Sequence, residues 1–217
     1  MRNVQYAVRL FCVLLTVLLT IGTVASANVD SGYLFYDDFD DQETEWETGS
    51  WRWRGRGYRS GEYAIWENWY DQYQLAWAPY ERLFPEEFVA VVEAYKYSGA
   101  DDVDYGIAWG RDNENFYYFK VTPDGWYRVG WKRYGEWRDS PVPWTECEQI
   151  HPGSQTNVLR VMVREGRVTL YINGEECESF ESSMTGPWKI GVNAGTGAIA
   201  RMEVRFTSFV VYGGSKE

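Results

Sequence analysis

The 217-residue chain has a single histidine, His151, and only three cysteines, one of which lies within the first 27 residues. With one histidine and two remaining thiols, a structural zinc site is short of ligands. No Gly-x-Ser-x-Gly elbow, zinc-protease helix motif or phosphate-cradling glycine loop occurs. A serine–histidine pair assembled in space stays open, because such triads are recognised by geometry and not by order. Helical periodicity is almost absent after residue 28, and there is no internal repeat, linker or low-complexity segment. Helical bundles and solenoids are thereby set aside, and a short polar tail begins at Gly213.

What is present begins with the first residues. Arg2 and Arg9 precede an apolar run from Leu10 to Val24, and the small residues Ala25-Ser26-Ala27 follow. That order predicts a secretory signal peptide over residues 1–27, cleaved before Asn28, with one domain over residues 28–217. The run is short for a spanning helix, which needs roughly 20 apolar residues. An uncleaved anchor is the alternative. The formal charge of −11 becomes −13 once Arg2 and Arg9 are removed. So negative a domain disfavours nucleic acid and anionic lipid as partners. Export predicts a secreted, periplasmic or cell-surface protein with no membrane contact after cleavage. In that oxidising setting Cys147 and Cys177 are expected to form a disulfide, the alternative being two separate thiols.

The remainder reads as strands. Short alternating, β-branched and aromatic runs are separated by closely spaced turn residues, the pattern of an all-β sandwich or barrel. About a dozen strands are expected. Residues 87–97 are apolar on both faces, which predicts a central strand. Residues 157–172 form a hairpin across Glu165-Gly166, and Asn173-Gly174 starts the next reversal. Further turns fall at residues 112–115, 123–125 and 185–187. The phase shift between Phe206 and Phe209 predicts a bulge near Thr207-Ser208.

Four stretches carry a family likeness: Tyr36-Asp37-Asp38-Phe39-Asp40-Asp41 with Trp46; Asp104-Tyr105-Gly106-Ile107-Ala108-Trp109 with Asn115-Phe116-Tyr117-Tyr118-Phe119; Asn157 through Gly174; and Lys189-Ile190-Gly191-Val192 with its closing strand. Together they resemble the concanavalin A-like lectin/glucanase superfamily. Among its members the chain looks most like bacterial extracellular modules of the laminin-G-like or 3-keto-disaccharide hydrolase-like type. The resemblance spans nearly all of residues 33–212. It implies a two-sheet antiparallel jelly-roll sandwich with ligands on the concave sheet or its rim. The opening differs from the hydrolase branch, with Asp-Asp-Phe-Asp-Asp in place of a Leu-Phe-Asn-Gly type start.

Glycosidases of this fold need an acid and a nucleophile on one strand face, and carboxylates at alternate positions meet that need. Glu43, Glu45 and Glu47 have the spacing but sit in a polar, loop-like segment. Asp102 and Asp104 begin a strand and read as ordinary acids. No catalytic residue is assigned. No cofactor is required by the sequence, although Asp37 and Asp38 are candidate ligands for a structural calcium ion.

The aromatic content points elsewhere. All twelve Trp lie beyond residue 27. Flat indole faces suit the apolar faces of sugar rings, and adjacent polar groups suit hydroxyls. Residues 65–73, read as a loop, offer Trp66, Trp69 and Tyr70, either as ligand contacts or as rings packed under the loop. Tyr118 and Lys120 share one side of a strand, as do Trp126 and Arg128 on the next. A hairpin through residues 123–125 would join the two sides into one aromatic and basic face, or into a plain solvent face. Trp46, Trp77 and Trp109 are expected in the core. The leading expectation is a non-catalytic module that binds carbohydrate or a cell-surface glycan. A glycoside hydrolase and a protein-binding structural or adhesion domain are the alternatives.

Overall fold

The computed structural model describes residues 32–79 and 81–214, so the signal-peptide reading lies outside the described residues. Sixteen strands follow in order: β1 Tyr33–Asp37, β2 Gly49–Trp51, β3 Arg54–Tyr58, β4 Tyr63–Glu67, β5 Tyr73–Trp77, β6 Phe88–Ser98, β7 Asp104–Asp112, β8 Asn115–Thr122, β9 Trp126–Arg133, β10 Glu136–Trp137, β11 Val142–Glu146, β12 Asn157–Arg164, β13 Arg167–Ile172, β14 Glu175–Glu181, β15 Lys189–Gly195 and β16 Met202–Gly213. The number exceeds a dozen because pieces as short as β2 and β10 carry too little periodicity to be seen in sequence.

All pairings are antiparallel and form two sheets. One runs β14-β13-β12-β6-β16-β4-β3-β2, with β1 also on β16; the other runs β10-β9-β8-β7-β15-β5, with β11 on β9. Strand β6 lies between β12 and β16; its face with Phe88, Ala90, Val92 and Ala94 is in the core, whereas Val89, Val91 and Tyr95 on the other face are only half-buried. Glu165-Gly166 and Asn173-Gly174 both turn with positive φ, which matches strand twist in two-residue hairpins. The bulge falls between Phe206 and Ser208, and there β16 exchanges its pairing with β4 for pairing with β1.

Alternation packs one face of each sheet into a single core. Ala90 and Val92 of β6, Val161 of β12 and Phe206 of β16 meet Ile107 and Trp109 of β7, Phe119 of β8 and Val192 of β15. Asn157 is fully buried and fully used. It accepts from the His151 N–H at 2.8 Å and from Asn173 at 2.8 Å, and donates to the Tyr105 hydroxyl at 2.9 Å. Trp46 and Trp109 are core residues as expected, whereas Trp77 is half-buried on the opposite face of its sheet.

Two expectations are not met in this structure. Asp37 and Asp38 do not fit a calcium ion. Asp37 is buried, and its oxygens accept from the Phe39 N–H at 2.7 Å, the Trp46 indole N–H at 2.7 Å and the Thr44 hydroxyl. Asp38 faces the other way and caps the Asp40 N–H. No cluster of three or more acidic, histidine or cysteine side chains gathers for a metal among the described residues. Likewise Cys147 and Cys177 are free thiols. Their chain segments bring them side by side, but the Cys147 thiol donates to Gln149 Oε1 and the Cys177 thiol to the Glu175 carbonyl. Burial, then the adjacent Cys147, push the Cys177 thiol up.

Asp37 therefore works as a hydrogen-bond anchor for Trp46. Asp37→Ala should lower stability by about 3 kcal/mol, the scale of lost charge-assisted bonds to buried donors. Chelation of metal should leave the Tm of the natural protein unchanged. A Tm drop on chelation, or a neutral Asp37→Ala, would reverse this assignment. A second consequence concerns alkali. Burial pushes Tyr105 and Tyr127 up to about 12, and Tyr63 higher still. Unfolded tyrosine ionises near 10. The native state thus keeps protons that the unfolded chain has lost, so stability is full below about pH 10 and falls as pH rises through about 12. Phenolate absorbance should titrate in two steps, the second coinciding with loss of the fold; one step near 10 in a folded protein contradicts it.

Candidate functional site: a walled pocket on the concave sheet

The site starts from two strands with one bulky face and one bare face. Strand β7 sends Tyr105, Ile107 and Trp109 into the core, and β15 sends Ile190, Val192 and Ala194. The alternate positions face outward and are Asp104, Gly106, Ala108 and Gly110 on β7, and Gly191, Asn193 and Gly195 on β15. Register sets Gly106 opposite Asn193 and Asp104 opposite Gly195. A floor of glycine and alanine results, from which Asp104 and Asn193 project into the pocket and Lys189 stands beyond it. Gly195 makes the room for one of them, since a Cβ there would come within 2.9 Å of Asp104 Oδ1.

Longer side chains from the flanking strands rise around that floor. Phe116, Tyr118 and Lys120 come from β8, Arg128 from β9, Trp137 from β10, Trp144 from β11, and Tyr73 and Leu75 from β5. The Tyr118 ring lies across Gly130 of β9, where a Cβ would meet it at 2.2 Å. The enclosed space is about 600 Å³, within the range of small-ligand sites. Asp71, Asp102 and the segment 196–198 close one end. Thr196 fixes that end, accepting from the Gln72 N–H at 3.0 Å and donating to the Trp69 carbonyl at 2.8 Å.

The polar groups fall into two sets. Lys120 Nζ pairs with Asp104 Oδ2 at 2.5 Å and lies 4.8 Å from the Tyr118 ring and 5.4 Å from that of Trp144. Arg128 donates to Ser140 and its guanidinium is 5.8 Å from the Trp144 ring. Those groups are satisfied. In contrast Asp104 Oδ1, Asn193 Nδ2 and Asp102 Oδ1 are buried without a hydrogen-bond partner. Such atoms cost about 1–3 kcal/mol each when left unpaired. The lining charges balance, with Asp71, Asp102 and Asp104 against Lys120, Arg128 and Arg138, although the chain as a whole carries −11.

With this architecture in view, solved structures of similar shape can be named. A chain reported with the endo-acting O-glycanases that human gut microbiota express to initiate mucin breakdown aligns at TM-score 0.61 and 12% identity, over 84% of this chain and 100% of its own. The catalytic domain of an endo-1,3-beta-glucanase (laminarinase) from Thermotoga petrophila RKU-1 aligns at TM-score 0.61 and 9% identity, over 85% and 98%. The GH43 BlXynB protein from Bacillus licheniformis aligns at TM-score 0.60 and 14% identity over 82% of this chain, which spans only 39% of that protein. What these structures share with this chain is the two-sheet antiparallel jelly roll. No protein-family model and no curated relative matches the sequence. At these identities the likeness concerns the jelly roll alone.

The residues singled out from sequence scatter over this jelly roll. Tyr118, Lys120 and Arg128 meet in the pocket, with Lys120 directly opposite Arg128 in register. Trp126 stands at the end of the same strand, half-buried and outside the pocket lining. Trp66 belongs to β4, not to a loop; the Arg59 guanidinium covers its ring at 3.6 Å. Trp69 lines a separate cavity of about 430 Å³ with Trp53, Asn68 and Arg201. Tyr70 is exposed and lines neither cavity. Glu43, Glu45 and Glu47 lie away from the pocket, and Glu47 pairs with Arg56. Asp104, Asn193, Tyr73, Trp137 and Trp144 are the pocket residues that sequence reading did not assign. A signal for Asn193 exists, since a lone amide between Gly191 and Gly195 on one face of an otherwise apolar strand has no core role.

The Lys120–Asp104 pair is almost fully enclosed, with side chains 14% and 9% exposed. Lys120→Met leaves a buried carboxylate and should cost about 3 kcal/mol. Adding Asp104→Asn should recover most of that loss in a denaturant titration. Equal destabilisation by the single and double variants would show that the pair is not coupled.

Proposed function

We propose that the protein binds neutral carbohydrate in the concave pocket, as an exported module. The observation that carries this reading is the polar pair Asp104 and Asn193 on the floor of a pocket walled by aromatic rings. Asp104 Oδ1 can only accept and Asn193 Nδ2 can only donate. A sugar hydroxyl does both, so neighbouring hydroxyls satisfy the two together. Around them Trp144, Tyr118 and Trp137 offer flat apolar faces for the ring. The balance of lining charges favours a neutral ligand over a polyanion. The jelly roll of glycan-acting enzymes supports the class of ligand, and the leader-like residues 1–27 support work outside the cytoplasm.

A second reading, hydrolysis, draws on one specific observation. Asp102 stands beside Asp104 at the pocket end, its Oδ2 accepting the Ala198 N–H at 2.8 Å and its Oδ1 unpartnered. Two carboxyl groups in one sugar site are what glycoside cleavage needs.

Laminarin, xylan and mucin glycopeptides are suitable first probes, with binding followed by tryptophan fluorescence and calorimetry. Binding to at least one is expected, with Asn193→Ala and Trp144→Ala each weakening it about tenfold, or about 1.4 kcal/mol. Failure to bind any of them, or binding untouched by both variants, would overturn the pocket reading. Release of reducing sugar that disappears in Asp102→Asn would favour hydrolysis.

A further inference from the structure

The concave face of this sheet is crossed by a wall of rings. Trp77 of β5 meets Phe116 of β8 edge-on at 6.1 Å, above the glycines of β15 and β7 that separate those strands. Phe116 meets Trp137 of β10 at 5.9 Å, and Trp137 meets Tyr118 at 5.6 Å. Trp137 also meets Tyr73 of β5 at 5.6 Å. Strands β5 and β10 are the opposite ends of the sheet order. Five strand spacings would hold them roughly 24 Å apart in a flat sheet. Contact between their rings therefore means that the sheet curls and its margins join above the floor.

Hydrogen bonds hold the wall in place. Trp77 donates to Asn113 Oδ1 at 2.8 Å. The β9–β10 turn rests on the β7–β8 turn, with the Tyr134 N–H donating to Asn115 Oδ1 at 3.0 Å and the Gly135 N–H to the Glu114 carbonyl at 3.1 Å. Asp104, Asn193, Lys120, Arg128 and Trp144 line the pocket together with rings of this wall, whereas Trp77, behind Phe116, does not line it.

We propose that the wall makes the pocket blind at one end, so that it receives the terminus of a glycan chain and not an internal stretch. The proposal rests on the carbohydrate reading above and adds which part of the ligand is bound. A polysaccharide running through the site would have to pass where Trp77, Phe116, Trp137 and Tyr73 are in contact. A chain end need not. Its last ring stacks against the wall while its hydroxyls reach Asp104 and Asn193, and the rest of the chain leaves toward Trp144.

The test compares laminari-oligosaccharides and xylo-oligosaccharides from disaccharide to hexasaccharide, and then the parent polymers, by calorimetry. Whichever series binds, the Kd per chain should level off after the first few units, and each polymer chain should take up one protein per matching end. Trp137→Ala removes a half-exposed ring, so the fold should survive, which circular dichroism checks. It should weaken the disaccharide about tenfold and let affinity rise with chain length. Affinity that climbs with every added unit in the natural protein, with many proteins bound along each polymer, overturns terminal recognition and leaves the carbohydrate reading intact. No heat with any of these oligosaccharides or polymers, nor with mucin glycopeptides, overturns both.

Discussion

The site depends on a constraint that β7 and β15 meet together: one face of each strand must be bulky and the other nearly bare. The bulky face fills the core with Tyr105, Ile107, Trp109, Ile190 and Val192. The bare face leaves a central trough, because within the pocket no side chain of β7 or β15 larger than alanine stands there except Asp104 and Asn193. Everything else in the site is a response to that trough. Rings from β8 and β10 can lie over it, Tyr118 can cross Gly130, and the margins of the sheet can approach closely enough for Tyr73 to reach Trp137. Larger residues at the glycine positions would lift the rings and fill the cavity.

The same trough explains why polar atoms are tolerated there unpaired. Asp104 Oδ1 and Asn193 Nδ2 are buried without a hydrogen-bond partner in the protein. Folding alone gains nothing from them, and apolar replacements would remove the penalty. Their presence makes sense for a partner that arrives later. Asp37 and Asn157 are the contrast within this molecule. Both are equally buried polar residues, and both are bonded on every side to the protein itself. Asp37 and Asn157 hold the fold, whereas Asp104 and Asn193 keep one polar atom each without a protein partner.

Much of the architecture was legible because strand signals are local. The two hairpins around residues 157–181 announce themselves by glycine-containing turns and the bulge by a phase shift, whereas the second apolar face of β6 is only half-buried. Tyr118, Lys120 and Arg128 were legible together because a single tight turn fixes which sides of β8 and β9 coincide. Harder to read was anything set by curvature. The meeting of Tyr73 with Trp137 joins strands at opposite margins, and no sequence period encodes how far a sheet curls. Trp66 misled because its ring is shielded by Arg59 of the β3–β4 turn, a contact that alternation along a strand does not reveal. The disulfide expectation rested on compartment alone. It found the right neighbours but not the bond, since neighbourhood and oxidation state are separate properties.

Strand β16 carries a consequence for how the molecule assembles. It pairs with β6 along most of its length, with β4 before the bulge and with β1 after it. About a hundred residues separate β6 from β16, so the middle of that sheet closes a very long loop. Early and late portions of the chain cannot complete their ladders without Met202–Gly213. Topology of this kind gives high contact order and slow, all-or-none folding. Any fragment that stops short of β16 leaves three strands with open edges, and open edges are templates for aggregation. The bulge that lets one strand serve both halves of the sheet therefore also makes partial synthesis of this chain hazardous.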